Sequence, residues 1–203
     1  RINGGVVRPS HLRIPSYTPD WDHVQSIITQ KTRLIVINSP HNPCGSVLTA
    51  DDLEILALIA EKHNLLVVSD EVYELITFDG AQHYSLAAHP RLRNRTFIIT
   101  SFGKTFHITG WKVGACIAPS HLMAIFRSVH QFVSFSVNTP AQVALAEYMM
   151  DESRYSELSV FFQRKRDVFR NAMADSRFTM RPCSGSYFQL IGYESVSTEH
   201  DIA

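Results

Sequence analysis

No apolar run in this sequence approaches the roughly 18 to 20 residues needed to span a bilayer, and no polybasic block marks an anionic membrane surface. An excess of one charge is missing too. Lys plus Arg and Asp plus Glu each number 19, so no net basic field exists to hold nucleic acid. Cysteine is scarce: Cys44, Cys116 and Cys183 are odd in number, scattered and in no metal-ligand spacing. That pattern argues a reduced compartment, and we expect a cytoplasmic protein with no membrane or nucleic-acid partner. The ten histidines include no His-Glu-x-x-His, and His121 and His130 lack the i, i+4 spacing of a helical ligand pair, so no metal is expected. Neither an initiator Met nor a signal-peptide pattern opens the chain, and residues 199–203 stop in what reads as the first turn of a helix. We therefore expect a piece of a longer protein.

What is present suits a folded core. The 203 residues are 45% apolar and 19% charged, enough for one or two domains. Asp20 precedes Trp21, Val24, Ile27 and Ile28, an apolar stripe at helical spacing behind an acidic N-cap. Leu34-Ile35-Val36-Ile37 reads as a strand apolar on both faces, expected at the centre of a parallel sheet. Asn38-Ser39-Pro40-His41-Asn42-Pro43-Cys44-Gly45 follows as a rigid turn. Thr49 and Asp52 have capping-box spacing, ahead of a helix with Leu53, Leu56, Ala57 and Ala60 inward. Leu65-Leu66-Val67-Val68 predicts a second strand buried on both faces, and Phe97-Ile98-Ile99-Thr100 a third. A fourth, over residues 113–118, is expected across a polar turn. Ser120 is expected to cap a helix bearing Leu122, Ile125, Phe126 and Val129, and Thr139-Pro140 to supply the N-cap and N1 proline of the next. Residues 154–174 predict a charged helix with Leu158, Phe161, Phe162, Val168 and Phe169 on one side. Residues 178–181 and 187–191 predict two short strands across a turn. Alternating strand and helix argue an α/β sheet with helical crossovers. The alternation stops near Met150, where we place a domain boundary.

Ligands of doubly wound sheets bind beyond the carboxyl ends of the strands. Three polar clusters fall at such ends: residues 38–45, 70–73 and 101–104. Asp70 closes a strongly apolar strand, where a carboxylate needs a cationic or strong donor partner; a protonated pyridine nitrogen is one. Lys104 stands in a turn among small and hydroxylic residues, with Ser101 and a second cation, Lys112, nearby. That suits a carbonyl cofactor carrying a phosphate. The amine can form a Schiff base, and the hydroxyl and the cation can hold the anion. Asn42 and Tyr73 can address a phenolic oxygen beside the imine carbon. Each has a plainer reading. Asp70 can cap a following helix, Asn42 before Pro43 is ordinary turn chemistry, Tyr73 can be core, and Lys112 can be solvated.

Three motifs taken together resemble the class I/II aminotransferases, fold-type I pyridoxal-phosphate enzymes. They are residues 38–45, Ser69-Asp70-Glu71-Val72-Tyr73, and Ser101-Phe102-Gly103-Lys104-Thr105-Phe106 through Gly110-Trp111-Lys112-Val113-Gly114. Phe135, with Ser136-Val137-Asn138-Thr139-Pro140-Ala141-Gln142 after it, is similar to the branch of methionine aminotransferases and kynurenine and glutamine transaminases. The resemblance implies an α/β three-layer sandwich with a mainly parallel central sheet, plus the start of a small α+β domain. Residues 1–150 would be the later part of the large domain. Residues 151–203 would be the interdomain helix and the beginning of the small one. It implies pyridoxal 5'-phosphate as cofactor, a homodimer, and transfer of an amino group from an apolar amino acid to a 2-oxo acid. Lys104 would form the Schiff base, Asp70 pair the pyridine nitrogen, Asn42 and Tyr73 bind the ring oxygen, and Ser101 and Lys112 bind the phosphate. Phe135 would face the partner subunit's site. Many relatives have arginine where this chain has Lys112, so the charge is kept and the bidentate fork lost. The family's phosphate-binding turn, its ring-stacking aromatic and its substrate-carboxylate arginine fall outside residues 1–203, so little turnover is expected of these residues alone.

Ser101-x-x-Lys104 also matches the nucleophile motif of penicillin-binding proteins and β-lactamases, but the chain has no Ser-Asp-Asn, and Lys104-Thr105 is followed by Phe106. Two further alternatives keep the same cofactor. One is a β-lyase acting on cysteine conjugates; the other is a non-catalytic regulatory domain that binds pyridoxal phosphate.

Overall fold

Two short antiparallel strands, β1 (Leu12–Arg13) and β2 (Thr18–Pro19), open the part of the chain described by the computed structural model, residues 4–193. The helical turn expected at 199–203 lies outside those residues. Asp20 is the N-cap of α1 (Trp21–Ile27): its carboxylate accepts the His23 N–H and pairs with Arg13 at 3.0 Å. A helix start leaves such amide donors open, and the cap closes one of them. β3 (Leu34–Asn38) then leads through the proline turn to α2 (Ala50–Lys62). The expected capping box is present there. Thr49 accepts from the Asp52 N–H while Asp52 accepts from the Thr49 N–H. The same Asp52 carboxylate also receives the Trp21 indole N–H at 2.7 Å, which ties α1 to α2.

β4 (Leu66–Asp70) and β5 (Thr96–Ser101) follow, then a single helical turn, α3 (Phe102–Thr105), and β6 (Gly114–Ile117). The four strands form one sheet in the order β3-β4-β5-β6, the first two pairings parallel and the last antiparallel. This is an α/β fold with a mixed sheet. Its core joins Leu53, Leu56, Ala57 and Ala60 of α2, all buried as expected, to Trp21, Val67, Leu86, Leu92 and Ile98. Burying a leucine fully is worth about 1.5–3 kcal/mol, so this face of α2 is a main source of stability.

β3 departs from expectation. Among the described residues it pairs only with β4 and so lies at the sheet edge, with Leu34 and Val36 exposed while Ile35 and Ile37 pack on the core. The run is apolar on both faces, yet only one face meets an apolar layer here. β4 shows the same asymmetry in milder form: Leu65 and Val67 are buried and Leu66 is exposed.

α4 (Ser120–Val133) starts at Ser120, which makes no side-chain cap bond; Pro119 occupies the cap position. Only Leu122 is buried on it, and Ile125 and Val129 are exposed. In α5 (Thr139–Tyr148) the cap is Asn138, which accepts the Ala141 N–H at 3.0 Å, and Pro140 falls one residue later than expected. Asn outranks Thr as a cap. α6 (Leu158–Ala172) begins after a 3-10 turn at 152–154. It buries Leu158 and, unexpectedly, Arg166, while Val168 is solvent-facing. Arg166 holds Asp79 through two bonds of 2.6 and 2.8 Å, donates to the Cys183 carbonyl, and lies over the Phe78 ring. The last strands are β7 (Phe178–Met180) and β8 (Ile191–Tyr193). Residues 187–190 are therefore not strand. Among the described residues no helix is long and apolar enough to cross a membrane.

Candidate active site

The carboxyl ends of β3, β4 and β5 lie side by side: Asn38 is in register with Asp70, and Asp70 with Ile99. Asn38 joins the first two. Its side-chain N–H donates to the Asp70 carbonyl at 2.9 Å, and its oxygen accepts the Asn42 N–H at 2.7 Å. The turn that carries Asn42 is thus hung on the strand end that carries Asp70. Asp70 is half-buried, and its Oδ1 accepts the Val72 N–H at 3.3 Å. It caps a turn over the next residues rather than a regular helix, so the plainer reading is met in part.

Tyr73 is buried with Ile76, Phe78 and Cys183. Its phenol is held far above the ordinary range, first by burial, then by the neighbouring Tyr187 and the Asp70 charge, against a smaller opposing pull from the Asn42 side chain. It stays a neutral donor at any working pH. His41, in the same turn as Asn42, is pushed down by burial, partly offset by Asp70; it is neutral at neutral pH.

Lys104 sits on α3, directly after β5, and Ser101 occupies the cap position of that turn without a side-chain cap bond. A polar turn between strands was expected; the turn is helical. Lys112 ends the 3-10 turn at 109–111 with a left-handed backbone (φ 56°), exposed, just after the half-exposed Trp111. Two residues on, Gly114 is in register with Ser101, and a Cβ on it would lie 2.5 Å from the Thr100 carbonyl oxygen. The close β5–β6 approach that brings Lys112 back to the Ser101 edge therefore requires glycine. Phe135 follows the end of α4 with φ 59° and is exposed; it takes no part in these contacts.

Three residues of the neighbourhood were given no role from the sequence: His41, Glu71 and Tyr187. Glu71 is fully buried beside Asp70. It accepts from Ser69 at 2.8 Å and from the Leu86 N–H at 3.1 Å, and it meets His83 Nε2 at 3.0 Å. Glu74 completes a group with Glu71 and His83 whose ligand atoms lie within 4.8 Å of one another, and it accepts from Thr100. Those bonds already engage the carboxylates, so the group reads as a structural lock behind the strand ends. A buried Glu next to Asp70 was visible as a letter; the partners that hold it were not.

As a cradle these groups fit pyridoxal 5'-phosphate. A carboxylate is available for a pyridinium N–H, a protonated phenol and an amide for a phenolate oxygen, and an amine for a carbonyl carbon. A hydroxyl and an ammonium remain for phosphate.

The whole chain, residues 1–203, matches the model of the family described as aminotransferase class I and II. It is 44% identical over 202 residues to a methionine aminotransferase of Escherichia coli, covering 99% of this chain and 52% of that one. Identity is 40% over 185 residues to a kynurenine–oxoglutarate transaminase of Dictyostelium discoideum, with 89% and 42% covered. A crystal structure from Escherichia coli, assigned a methionine aminotransferase function, superposes with a TM-score of 0.93 at 44% identity, covering 97% of this chain and 52% of the other. The chain spans about half the length of the curated relatives it matches.

Proposed function

The chain belongs to the class I and II aminotransferase family, a family dependent on pyridoxal phosphate, and from that premise we propose what its residues do. The protein containing them moves an amino group from an apolar amino acid, methionine or an aromatic one, to a 2-oxo acid. The observation that carries the reading is the alignment of Asn42, Asp70 and the Lys104 turn at three neighbouring strand ends. The donor preference is supported by the relatives with methionine and kynurenine in their names.

When bound, the cofactor supplies an electron-poor ring that stabilises negative charge on the carbon bearing the amino group. Asp70 keeps the ring nitrogen protonated. Asn42 and Tyr73 donate to the ring oxygen, and Ser101 and Lys112 hold the phosphate. The Lys104 amine would hold the cofactor through its carbonyl carbon and, when free, would carry the proton from the substrate's α-carbon to that carbon. Residues 1–150 form the later part of a large cofactor domain, and residues 151–203 the interdomain helix and the beginning of a small one. The protein works as a homodimer in the cytoplasm, with Phe135 directed at the partner subunit's site; the exposure of that aromatic supports this assignment.

The test uses the full-length protein reconstituted with pyridoxal phosphate. We expect a visible absorbance band and a borohydride-reducible protein adduct in the wild type, and loss of the adduct in Lys104→Ala. Retention of the adduct would show that Lys104 is not the anchor. A panel of amino donors with a 2-oxo acid acceptor then identifies the reaction: release of pyruvate from cysteine conjugates without amino transfer marks a β-lyase, and no turnover marks a regulatory module.

A further inference from the structure

The loop at 183–188, far along the chain from the strand-end clusters, is built into their wall. The Ser184 N–H donates to the Gly45 carbonyl, the Phe78 N–H to the Ser184 carbonyl, and the Ser186 N–H to the Ile76 carbonyl, at 2.8, 2.8 and 2.9 Å. Gly185 bridges to Thr77. A Cβ on it would lie 2.8 Å from both the Ile76 carbonyl oxygen and Pro40 Cβ, so the fit tolerates only glycine. One loop thereby grips the turn that carries Asn42 and the segment that follows Tyr73. It projects Tyr187 onto Tyr73, with the phenol oxygens 3.5 Å apart and the rings edge to face at 5.0 Å. Phe162 and Phe188 back the Tyr187 ring at 5.7 and 4.9 Å.

We propose that Tyr187 is a positioning residue for Tyr73, its hydroxyl donating to the Tyr73 oxygen when Tyr73 donates to the cofactor's ring oxygen. The assignment rests on the reading of Tyr73 as a ligand of that oxygen. A phenol has one proton to give and lone pairs to fill. With its proton directed at the cofactor, Tyr73 is buried with an oxygen that still needs a donor, and Tyr187 is in reach. Bonds in such a chain polarise one another, so Tyr187 makes Tyr73 the stronger donor. Seating of the 183–188 loop is then felt at the cofactor's ring oxygen.

A donor to the ring oxygen makes it a poorer acceptor for the proton shared with the adjacent nitrogen, and so lowers the pH at which that proton leaves. Weakening the donor raises it. The other titratable and charged groups around this point are Asp70 on β4, His41 in the turn after β3, Lys104 on α3, Cys183 at the root of the loop, and Lys165 and Arg166 on α6, and a Tyr-to-Phe change alters none of them. In the full-length protein loaded with pyridoxal phosphate, the midpoint of the visible-band pH titration should rise in Tyr187→Phe by about half a unit, as for a bond weakened rather than lost. Tyr73→Phe should raise it further, and the double variant no further than Tyr73→Phe alone. An unmoved midpoint in Tyr187→Phe, or shifts that add in the double variant, overturns the assignment. A wild type with no band, or a borohydride-reducible protein adduct that survives Lys104→Ala, instead overturns the cofactor reading beneath it.

Discussion

Glu71 is a carboxylate out of reach of water and still ionised. Burial alone would raise its pKa, but hydrogen bonds from His83, Ser85, the Leu86 N–H and Ser69 outweigh it and hold the group below its ordinary value. A group depressed in the folded state adds stability above its unfolded pKa and loses it as pH falls through the folded value. Glu71→Gln should therefore cost about 1–3 kcal/mol at neutral pH, and the gap to wild type should narrow as the pH drops below the ordinary glutamate value near 4.5. Urea melts of both proteins across that range decide it; a gap constant with pH excludes the linkage. The placement of Lys104, Asp70, Asn42 and Tyr73 at or after neighbouring strand ends was legible in the sequence, because each closes or follows a strand whose apolar run is local. The contact of Tyr187 with Tyr73 was not, since it joins residues 114 positions apart and depends on a loop whose course no short-range pattern encodes.

Asp52 shows how much one side chain can do for an element. It closes the capping box of α2 with Thr49 and holds the Trp21 indole, so α1 and α2 share a single carboxylate. Asp52→Ala should cost about 1–3 kcal/mol, more than a cap alone, because both bonds go together. Asp51→Ala, exposed in the same first turn, should cost only a few tenths, about 0.3–1 kcal/mol at most. Equal losses in chemical denaturation would refute the shared role. The box itself was readable from a spacing of three residues. Element placement was harder. The apolar faces of β3 announce that both want cover, and nothing in the run says which neighbour provides it. Capping at α5 slipped by one residue because Asn138 and Thr139 both carry a suitable oxygen, and the backbone chose Asn138.

Across the whole molecule, a buried cation strengthens the join of the late helix α6 to the sheet half, beside the bonds of Ser159 to the Thr77 carbonyl and of the Asp79 N–H to Gln163. Arg166 is buried, clamps Asp79 with two parallel bonds and supports the Cys183 carbonyl at the root of the 183–188 loop. Arg166→Met should destabilise by about 2–4 kcal/mol, and Arg166→Lys should rescue little, since an ammonium lacks the planar fork. Full recovery by lysine in thermal melts would show that only the charge matters. A helix rich in arginine and lysine gave no hint which of its cations turns inward; that follows from where Asp79 and Phe78 sit. The two tryptophans also occupy opposite surroundings. Trp21 is 8% exposed with its indole bonded to Asp52, and Trp111 is 48% exposed beside Lys112. The protein thus carries two intrinsic fluorophores of different colour. The bluer reports on the seam between the first two helices and the redder on the edge where the phosphate is proposed to bind, so fold and ligand can be followed in one emission spectrum without a label.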